Sequence, residues 1–339
     1  MYYCQKLFAD GDPEPLTSTG AHMEFSTGQP VPHVVADGLA FPESPIAAAD
    51  GSVLCSEIAA GRITRVRRDG ARETVAVTGG GPNGVAELAD GRMVVCQNGG
   101  SRFGVGPWPY DLPGCTRLFR PVGAPDEPVT PQLQIVDPDG SVHTLATHFT
   151  AKTGERLPLV RPSDICVDTV GGFYVTDGGT MHGRTREMTG LLYGTVDGDL
   201  REIVFPLEMP NGVALAPDGA TLYLAETRTR RVWAFGLEAP GVVGRAHGFA
   251  TVPAGGPLGV GGADGVCVAD DGHVLVATLG TGGVTVFSPD GLIVGAIGAD
   301  DPMTTNLTLS PDQERLYLTL ASTGRLVVVD GWRSMVGIG

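Results

Sequence analysis

Short apolar runs recur along the whole chain, and each is bounded by glycine, proline or aspartate. Apolar stripes at helical spacing are nearly absent, whereas runs rich in valine, leucine, tyrosine and threonine between turn-forming residues are typical of β-strands. Six of the runs share one pattern and follow a tight turn: SVLCSEI, RMVVCQN, GFYVTDG, TLYLAET, HVLVATL and RLYLTLA. The pattern predicts an all-β protein built from a repeated hairpin.

Two series of turns alternate along the chain. The first precedes the six runs and consists of Asp50-Gly51, Asp90-Gly91, Gly171-Gly172, Asp218-Gly219, Asp271-Gly272 and Pro311-Asp312. The second consists of Asp69-Gly70, Asp139-Gly140, Asp197-Gly198, Asp290-Gly291 and Asp330-Gly331, with a weaker turn near Leu237. Asp-Gly is typical of primed hairpin turns, in which both central residues have positive φ.

A unit of four short strands that repeats six times, about every 40 residues, is the pattern of a propeller blade. A β-sandwich with many Asp-Gly turns is the alternative, but it gives no reason for two turn types to alternate. The sequence therefore predicts a six-bladed β-propeller over residues 31–339, preceded by a loose tail at 1–30.

The predicted blades are unequal in length. The interval from Asp90 to Asp139 is longer than its counterparts, which predicts an ordered loop inserted into the second blade at 99–131. The run VPHVVA at 31–36 is expected to supply the outermost strand of the last blade and so close the ring. The C-terminal WRSMVGIG is the competing candidate for that position.

Composition narrows the range of partners. Acidic residues outnumber basic ones by 38 to 23, for a formal net charge of −15, which argues against nucleic acid and against an anionic membrane surface. No apolar stretch is long enough for a spanning helix, and MYYCQKLFADGDPEP does not read as a signal peptide. The six scattered cysteines form no CxxC pair and are expected to be reduced. We expect a cytoplasmic protein that acts on a small molecule, and the oligomeric state stays open.

One polar residue recurs at a constant offset in every repeat. Seven residues before each first-series turn (counted from Val170 in the third repeat) stand Glu43, Asn83, Ser163, Asn211, Asp264 and Thr305. In a propeller this position begins the innermost strand at the mouth of the central channel, so the six side chains are expected to converge. Asn-Gly and Asp-Gly are ordinary turn dipeptides, but Glu43 is no turn former, and the shared offset favours a common site.

The residue types at these positions indicate a metal site. Carboxylates that converge without a cation repel one another and take up protons, and a bound metal removes that penalty. Carboxylate and amide oxygens without Cys or His are ligands for hard divalent cations. The set favours Ca²⁺ as cofactor, with Mg²⁺, Mn²⁺ or Zn²⁺ as alternatives.

Five segments carry a resemblance to a known family: GLAFPESP, RPSDICVDTVGGFYVTD, MPNGVALAPDGATLYLAET, GADGVCVADDGHVLVA and TTNLTLSPDQERLYLT. They resemble motifs of regucalcin, gluconolactonase and diisopropyl-fluorophosphatase, which are six-bladed propellers with a divalent cation at the channel mouth. The resemblance covers about residues 31–330. It implies Glu43, Asn211 and Asp264 as metal ligands. The family's fourth ligand is an asparagine, and this chain has Ser163 there, a shorter and weaker oxygen donor.

The resemblance also implies roles around the metal. It makes Arg161 a contact for substrate oxygens and Asn83 an amide that holds substrate or a metal-bound water. Independently of the resemblance, the loop at 177–190 offers His182 as a candidate substrate-binding residue, and the insertion, with Trp108 and Tyr110, is a candidate lid.

Together these features predict a metal-dependent hydrolase that opens a sugar-acid or related hydroxy-acid lactone. In this hypothesis the cation polarises the carbonyl, Asp264 acts as general base or nucleophile, and Arg161 stabilises developing negative charge. Two alternatives stay open. One is a non-hydrolytic biosynthetic enzyme on the same fold, such as an isomerase or cyclase, and the other is a non-catalytic binding propeller stabilised by metal.

Overall fold

The fold is a ring of six antiparallel blades, seen in a computed structural model that describes residues 32–108, 116–254 and 261–338. We number the blades by the order of their innermost strands along the chain. The innermost strands of neighbouring blades contact each other around the whole ring, including those of blades 1 and 6. The predicted all-β, six-bladed propeller is therefore confirmed.

Four strands form the body of each blade, in order from the axis outwards. Blade 1 consists of Pro42–Ala47, Val53–Glu57, Arg62–Val66 and Arg72–Val77. Blade 2 consists of Pro82–Glu87, Met93–Gln97, Gln132–Val136 and Val142–Ala146. Blade 3 consists of Pro162–Val167, Phe173–Asp177, Thr189–Gly194 and Leu200–Leu207. Blade 4 consists of Pro210–Leu215, Thr221–Glu226, Arg231–Ala239 and Val242–Thr251. Blade 5 consists of Gly262–Val268, Val274–Leu279, Val284–Phe287 and Ile293–Ile297. Blade 6 consists of Thr304–Leu309, Arg315–Leu320, Arg325–Asp330 and His33–Ala36.

Blade 6 closes the ring with the two ends of the described chain. His33–Ala36 pairs antiparallel with Arg325–Asp330, as expected for the run at 31–36. The competing C-terminal segment instead begins with a short helix, Trp332–Met335, whose Trp332 and Met335 side chains are buried against blades 5 and 6.

Apolar side chains fill the space between every two neighbouring blades. The described residues form six such clusters, one for each pair of neighbours. Successive side chains of a strand point to opposite faces, so Val53 and Cys55 pack toward blade 6 whereas Leu54 packs toward blade 2. Because both faces of each middle strand are buried, the apolar runs of the sequence are continuous rather than alternating.

The first-series turns differ from the expected primed hairpins. In blade 1 the Gly51 N–H donates to the Ala48 carbonyl at 3.0 Å, and the Ala48 N–H donates to the Ser52 carbonyl at 2.9 Å. Gly51 has a φ of 83°, but Asp50 is not in the left-handed region. The expectation of positive φ at both positions is wrong, because this is a type I turn followed by a left-handed glycine. Aspartate is favoured because its carboxylate accepts the N–H two residues on, from Ser52 at 2.8 Å.

Two blades carry additional strands. The insertion at 99–131, expected to be a loop, contains an antiparallel pair, Arg102–Trp108 with Thr116–Gly123. Outside blade 3, His148–Thr150 joins the outermost strand and pairs with Arg156–Pro158. The predicted loop at 177–190 contains a two-residue hairpin, Met181–His182 with Thr185–Arg186, and a single 3₁₀ turn, Ile58–Ala60, follows the second strand of blade 1.

Some sequence predictions lie outside the described residues: the tail at 1–30, Tyr110, and two of the six cysteines, Cys4 and Cys115. The other four cysteines are free thiols, and Cys55 and Cys96 are buried. Within the part of the chain that the structure describes, no helix is long and apolar enough to cross a membrane.

Candidate functional site

The six polar positions that share one offset in the sequence line a single cavity on the propeller axis. Its volume is about 300 Å³, and each blade contributes one of these side chains: Glu43, Asn83, Ser163, Asn211, Asp264 and Thr305. We call this set the axial ring. Four of its members are almost completely buried, with exposed fractions of 6% for Glu43, 7% for Ser163, 5% for Asp264 and 2% for Thr305. The expected convergence is therefore observed.

A bulge interrupts the innermost strand next to the ring residue in all six blades. The pairing register shifts between Glu43 and Ile46, Pro82 and Val85, Pro162 and Ile165, Pro210 and Val213, Ala263 and Val266, and Thr304 and Asn306. A bulge leaves a residue unpaired and re-aims its side chain. The repeated bulge explains how one polar residue per blade can face the axis while the rest of its strand stays in the sheet.

Hydroxyl groups tie ring residues to the neighbouring blade. Ser56 in blade 1 donates to the Asn83 carbonyl of blade 2 at 2.7 Å, and Thr176 in blade 3 donates to the Asn211 carbonyl of blade 4 at 2.7 Å. Thr305 in blade 6 donates to the Pro42 carbonyl of blade 1 at 3.3 Å. The first two bonds satisfy carbonyl groups that the bulges leave out of the ladder.

Glycine follows the ring residue in three blades because the neighbouring innermost strand lies too close for a side chain. A Cβ on Gly212 would come within 2.2 Å of the Asp264 carbonyl oxygen, and one on Gly84 within 2.6 Å of the Asp164 Cα. A Cβ on Gly265 would come within 2.3 Å of the Asn306 side-chain oxygen. These close approaches bring the ring residues of adjacent blades together.

Three carboxylates lie buried beside one another at the axis. Burial, together with the Asp164 charge, raises the pKa of Glu43 to about 7, and burial raises the pKa of Asp164 to about 6. Burial and then the charges of Glu43 and Asp164 raise the pKa of Asp264 well above its usual range. The Asp264 carboxylate accepts no hydrogen bond from the residues that the structure describes. The electrostatics of this cavity therefore favour a bound cation.

The donor atoms of the ring fit a hard divalent cation. Across residues 32–108, 116–254 and 261–338, no three His, Cys, Asp or Glu side chains are grouped to hold a metal, and the candidate set is mixed: the Glu43 and Asp264 carboxylates, the Asn211 amide and the Ser163 hydroxyl. Asn211 Nδ2 donates to Thr227 Oγ1 at 3.2 Å, so Oδ1 is the atom available to a ligand. Ser163 Oγ donates to the Arg161 carbonyl at 3.3 Å, which leaves its lone pairs available to a ligand. Oxygen donors of this kind suit hard divalent cations such as Ca²⁺ and Mg²⁺.

Arg161 also lines the cavity. The backbone around it is held in place by the buried carboxylate of Asp177. The N–H groups of Val160 and Arg161 donate to Asp177 at 2.9 and 2.6 Å, and Asp177 is 1% exposed. The guanidinium donates to Ser101 Oγ at 3.2 Å, and burial lowers the pKa of Arg161. A partly desolvated, positioned guanidinium of this kind can bind a developing oxyanion.

A second tier of the cavity was missed from the sequence, except for Arg161. It consists of the residues two positions before the axial ring, and five of these six line the cavity: Phe41, Arg161, Met209, Gly262 and Met303. The available signal was the constant spacing of two residues from the ring, since four of these residues directly precede the innermost strand and Gly262 begins it. Phe41 and Met209 have φ values of 59° and 54°, in the left-handed region that side chains rarely adopt. Strain of this kind clusters at functional sites.

Asp164 was also missed, although it directly follows a predicted ligand. Its carboxylate accepts the Ile165 N–H at 2.9 Å and the Val213 N–H of blade 4 at 3.3 Å. It is the only acidic residue among the six that follow the axial ring. This difference from the other five repeats could have identified Asp164 from the sequence.

The remaining predicted site residues divide into two groups. Trp108, at the end of the first strand of the inserted hairpin, lines the cavity. His182 does not, since its side chain is 63% exposed and its Nε2 lies 3.5 Å from Glu187 Oε2. The structure therefore does not bring His182 together with the axial ring.

Comparisons with known proteins agree with this architecture. The sequence profile of the SMP-30/Gluconolactonase/LRE-like region matches residues 41–322. Solved structures of similar fold include a gluconolactonase from Xanthomonas campestris, with a TM-score of 0.67 at 23% identity, covering 89% of this chain and 95% of that one. A calcium-binding regucalcin from Agrobacterium tumefaciens gives a TM-score of 0.66 at 17% identity over 88% of this chain and 93% of its own.

Curated relatives match over a shorter range. Lactonase drp35 of Staphylococcus epidermidis is 35% identical over 144 residues, 41% of this chain and 42% of that protein. Diisopropyl-fluorophosphatase of Loligo vulgaris is 29% identical over 170 residues, 47% of this chain and 52% of that protein. These matches span about half or less of each relative's length. The profile match, by contrast, extends from blade 1 to blade 6, and the chain belongs to the SMP-30/gluconolactonase/LRE-like family.

Proposed function

We propose that this protein is a metal-dependent hydrolase that opens a lactone at the axial ring. The observation that carries the proposal is the Asp264 carboxylate, which is 5% exposed, lies beside the Glu43 charge and accepts no hydrogen bond from the described residues. A carboxylate in that position needs either a proton or a cation. The lactonase and gluconolactonase names of the relatives support the same reaction class.

Four residues would hold the cation: Glu43, Asn211, Asp264 and Ser163. When bound, Ca²⁺ would supply Lewis-acid polarisation of the ester carbonyl. The two buried carboxylates would then remain ionised at neutral pH, because a nearby positive charge favours their charged form.

The chain's own groups would carry the proton transfers. The ester carbonyl carbon gains a bond to a water oxygen, and the ring C–O bond breaks. As general base, the free oxygen of Asp264 takes the water proton and returns it to the departing alkoxide. As nucleophile, Asp264 would instead attack the carbonyl carbon to form an acyl-enzyme anhydride while the departing alkoxide takes a proton from solvent water. A second water would then hydrolyse the anhydride and regenerate the Asp264 carboxylate. In either route Arg161 stabilises the negative charge that develops on the carbonyl oxygen, and the Asn83 amide orients the substrate.

A lactone panel tests the proposal. Purified protein loaded with Ca²⁺ should open at least one γ- or δ-lactone, lose the activity with chelator and regain it with Ca²⁺. Inertness of the metal-loaded protein on the whole panel would refute the lactonase assignment. Turnover that survives Asp264→Ala would remove the role given to that residue.

Isotope labelling distinguishes the remaining routes. Hydrolysis in ¹⁸O-water places the label in the product carboxylate, whereas an isomerase or cyclase gives unlabelled product. A single turnover in ¹⁸O-water labels the product directly under the general-base route. Under the nucleophile route, water that attacks the Asp264 carbonyl carbon of the anhydride places the label in the Asp264 carboxylate first. Mass spectrometry of product and of the peptide that contains Asp264 reads both outcomes.

A further inference from the structure

One side of the cavity mouth is apolar. Phe41 and Ile58 of blade 1, Met303 at the start of blade 6, and Trp108 and Pro121 of the inserted hairpin all line it. We call these five side chains the apolar wall. Their only polar side-chain atom is the Trp108 indole nitrogen.

The inserted hairpin is fixed against this wall by aromatic packing. The Phe103 ring lies 5.0 Å from the Phe41 ring and 5.6 Å from the Phe119 ring, measured between centroids. Leu118, on the same hairpin, is 9% exposed and belongs to a cluster that includes Phe41 and Met303. The hairpin leaves blade 2 but packs on blades 1 and 6, so Trp108 belongs to a packed surface.

The other side of the mouth carries polar side chains beside one apolar side chain, Met209. Arg161 comes from blade 3, and Met209, Asn211, Thr227 and Arg228 come from blade 4. In a ring of six, blades 3 and 4 lie opposite blades 6 and 1. A ligand whose carbonyl lies at the axial ring therefore has an apolar surface on one side and the guanidinium groups of Arg161 and Arg228 on the other.

We propose that the substrate is a small lactone whose ring carries a hydrocarbon substituent, and that this substituent packs against the apolar wall. The inference rests on the proposed lactone hydrolysis and narrows its substrate class. A cavity of about 300 Å³ is small for a ligand site, so the substituent is short. A sugar-acid lactone would place hydroxyl groups against the wall, where they lose water without gaining hydrogen-bond partners.

Binding of stable analogues tests this inference separately from turnover. Lactams keep the ring and the carbonyl but resist hydrolysis, so calorimetry on the Ca²⁺-loaded protein can compare δ-valerolactam with its 6-pentyl derivative. Partial burial of the pentyl chain should tighten binding by about tenfold or more. Equal affinity for the two lactams would overturn the inference, even if the enzyme proves to be a lactonase. If the pentyl preference is found but no lactone is opened, the proposed reaction fails and the apolar subsite stands.

A pair of variants tests whether the apolar wall causes the preference for the pentyl derivative. Trp108→Ala should remove most of the pentyl advantage, leaving about a threefold difference, and should leave δ-valerolactam affinity unchanged. Val105→Ala is the matched control, since Val105 lies on the same strand with 62% exposure and should behave as wild type. Loss of affinity for both lactams in Trp108→Ala would show a general disturbance and contradict the assigned contact. With active enzyme, Trp108→Ala should raise KM for 6-pentyl-δ-valerolactone more than KM for δ-valerolactone.

Discussion

The interblade cores and the axial cavity are both buried, but apolar side chains fill the cores whereas carboxylates line the cavity. Leu224, between blades 3 and 4, has no exposed surface and lies in a cluster of apolar and aromatic side chains. Asp264 is 5% exposed, faces two other carboxylates and has a strongly raised pKa. The cores stabilise the fold, and part of that stability holds together carboxylates that repel one another. Stability and function are therefore carried by separate regions.

The largest effect is expected for a substitution that removes a charge at the axis without changing the packing there. Asp264→Asn keeps the shape of the side chain but removes its charge and its basicity, so lactone hydrolysis should fall by about 10⁴-fold. The metal-free variant should be more stable than metal-free wild type, because one of the repelling charges is gone. Activity assays and thermal unfolding with chelator measure the two effects. Asp126→Asn, on an exposed residue, is the control, and a destabilised metal-free Asp264→Asn would contradict the comparison.

Truncation of a core side chain should have the opposite result: it should lower stability and leave activity unchanged. Leu224→Ala removes a fully buried side chain and should lower the free energy of unfolding by about 3–5 kcal/mol. The protein that remains folded should keep its kcat/KM. Denaturant unfolding gives the stability change, and Leu292→Ala, at 69% exposure, should stay within about 0.5 kcal/mol of wild type. A core variant that loses activity while fully folded would show that the two regions are not separate.

A substitution at the boundary between the two regions should affect both. Gly212→Ala places a Cβ within 2.2 Å of the Asp264 carbonyl oxygen, so blades 4 and 5 must shift apart. We expect a loss of about 1–3 kcal/mol in stability together with weaker Ca²⁺ binding by calorimetry. Gly248→Ala is the control, because its nearest atom is a side-chain carbon of Arg231 at 3.8 Å. Unchanged Ca²⁺ affinity in Gly212→Ala would mean that ring spacing does not govern the metal site.

The smallest effect concerns pH. Glu43 has a pKa of about 7 in the folded protein against 4.5 for an unperturbed glutamate, so the metal-free folded state binds more protons than the unfolded state between these values. Stability should then fall as pH rises from 4.5 to 7, lowering Tm by roughly 5 °C. Scanning calorimetry with chelator measures this, and saturating Ca²⁺ should reverse the trend. A metal-free protein that gains stability over the same range would contradict the raised pKa.

Local sequence features predicted much of the fold and of the candidate site. The turn spacing predicted the blades, and the offset of seven residues predicted the axial ring, because both depend on short, repeated geometry. The inserted hairpin was missed because glycine, proline and aromatic residues at 99–131 are equally typical of loops. The direction of the His182 side chain could not be predicted, because a loop residue has no periodicity that indicates it.

The sequence by itself determined the number of blades, the order in which they follow one another and the six polar residues that meet at the axis. These depend on strand periodicity and turn chemistry, which are properties of neighbouring residues. Only the tertiary structure decided that Phe41, Met303 and Trp108 form one apolar wall and that Glu43, Asp164 and Asp264 share a buried, mutually repulsive environment. Both depend on contacts and desolvation between residues far apart in the chain, and those exist only once the ring has closed.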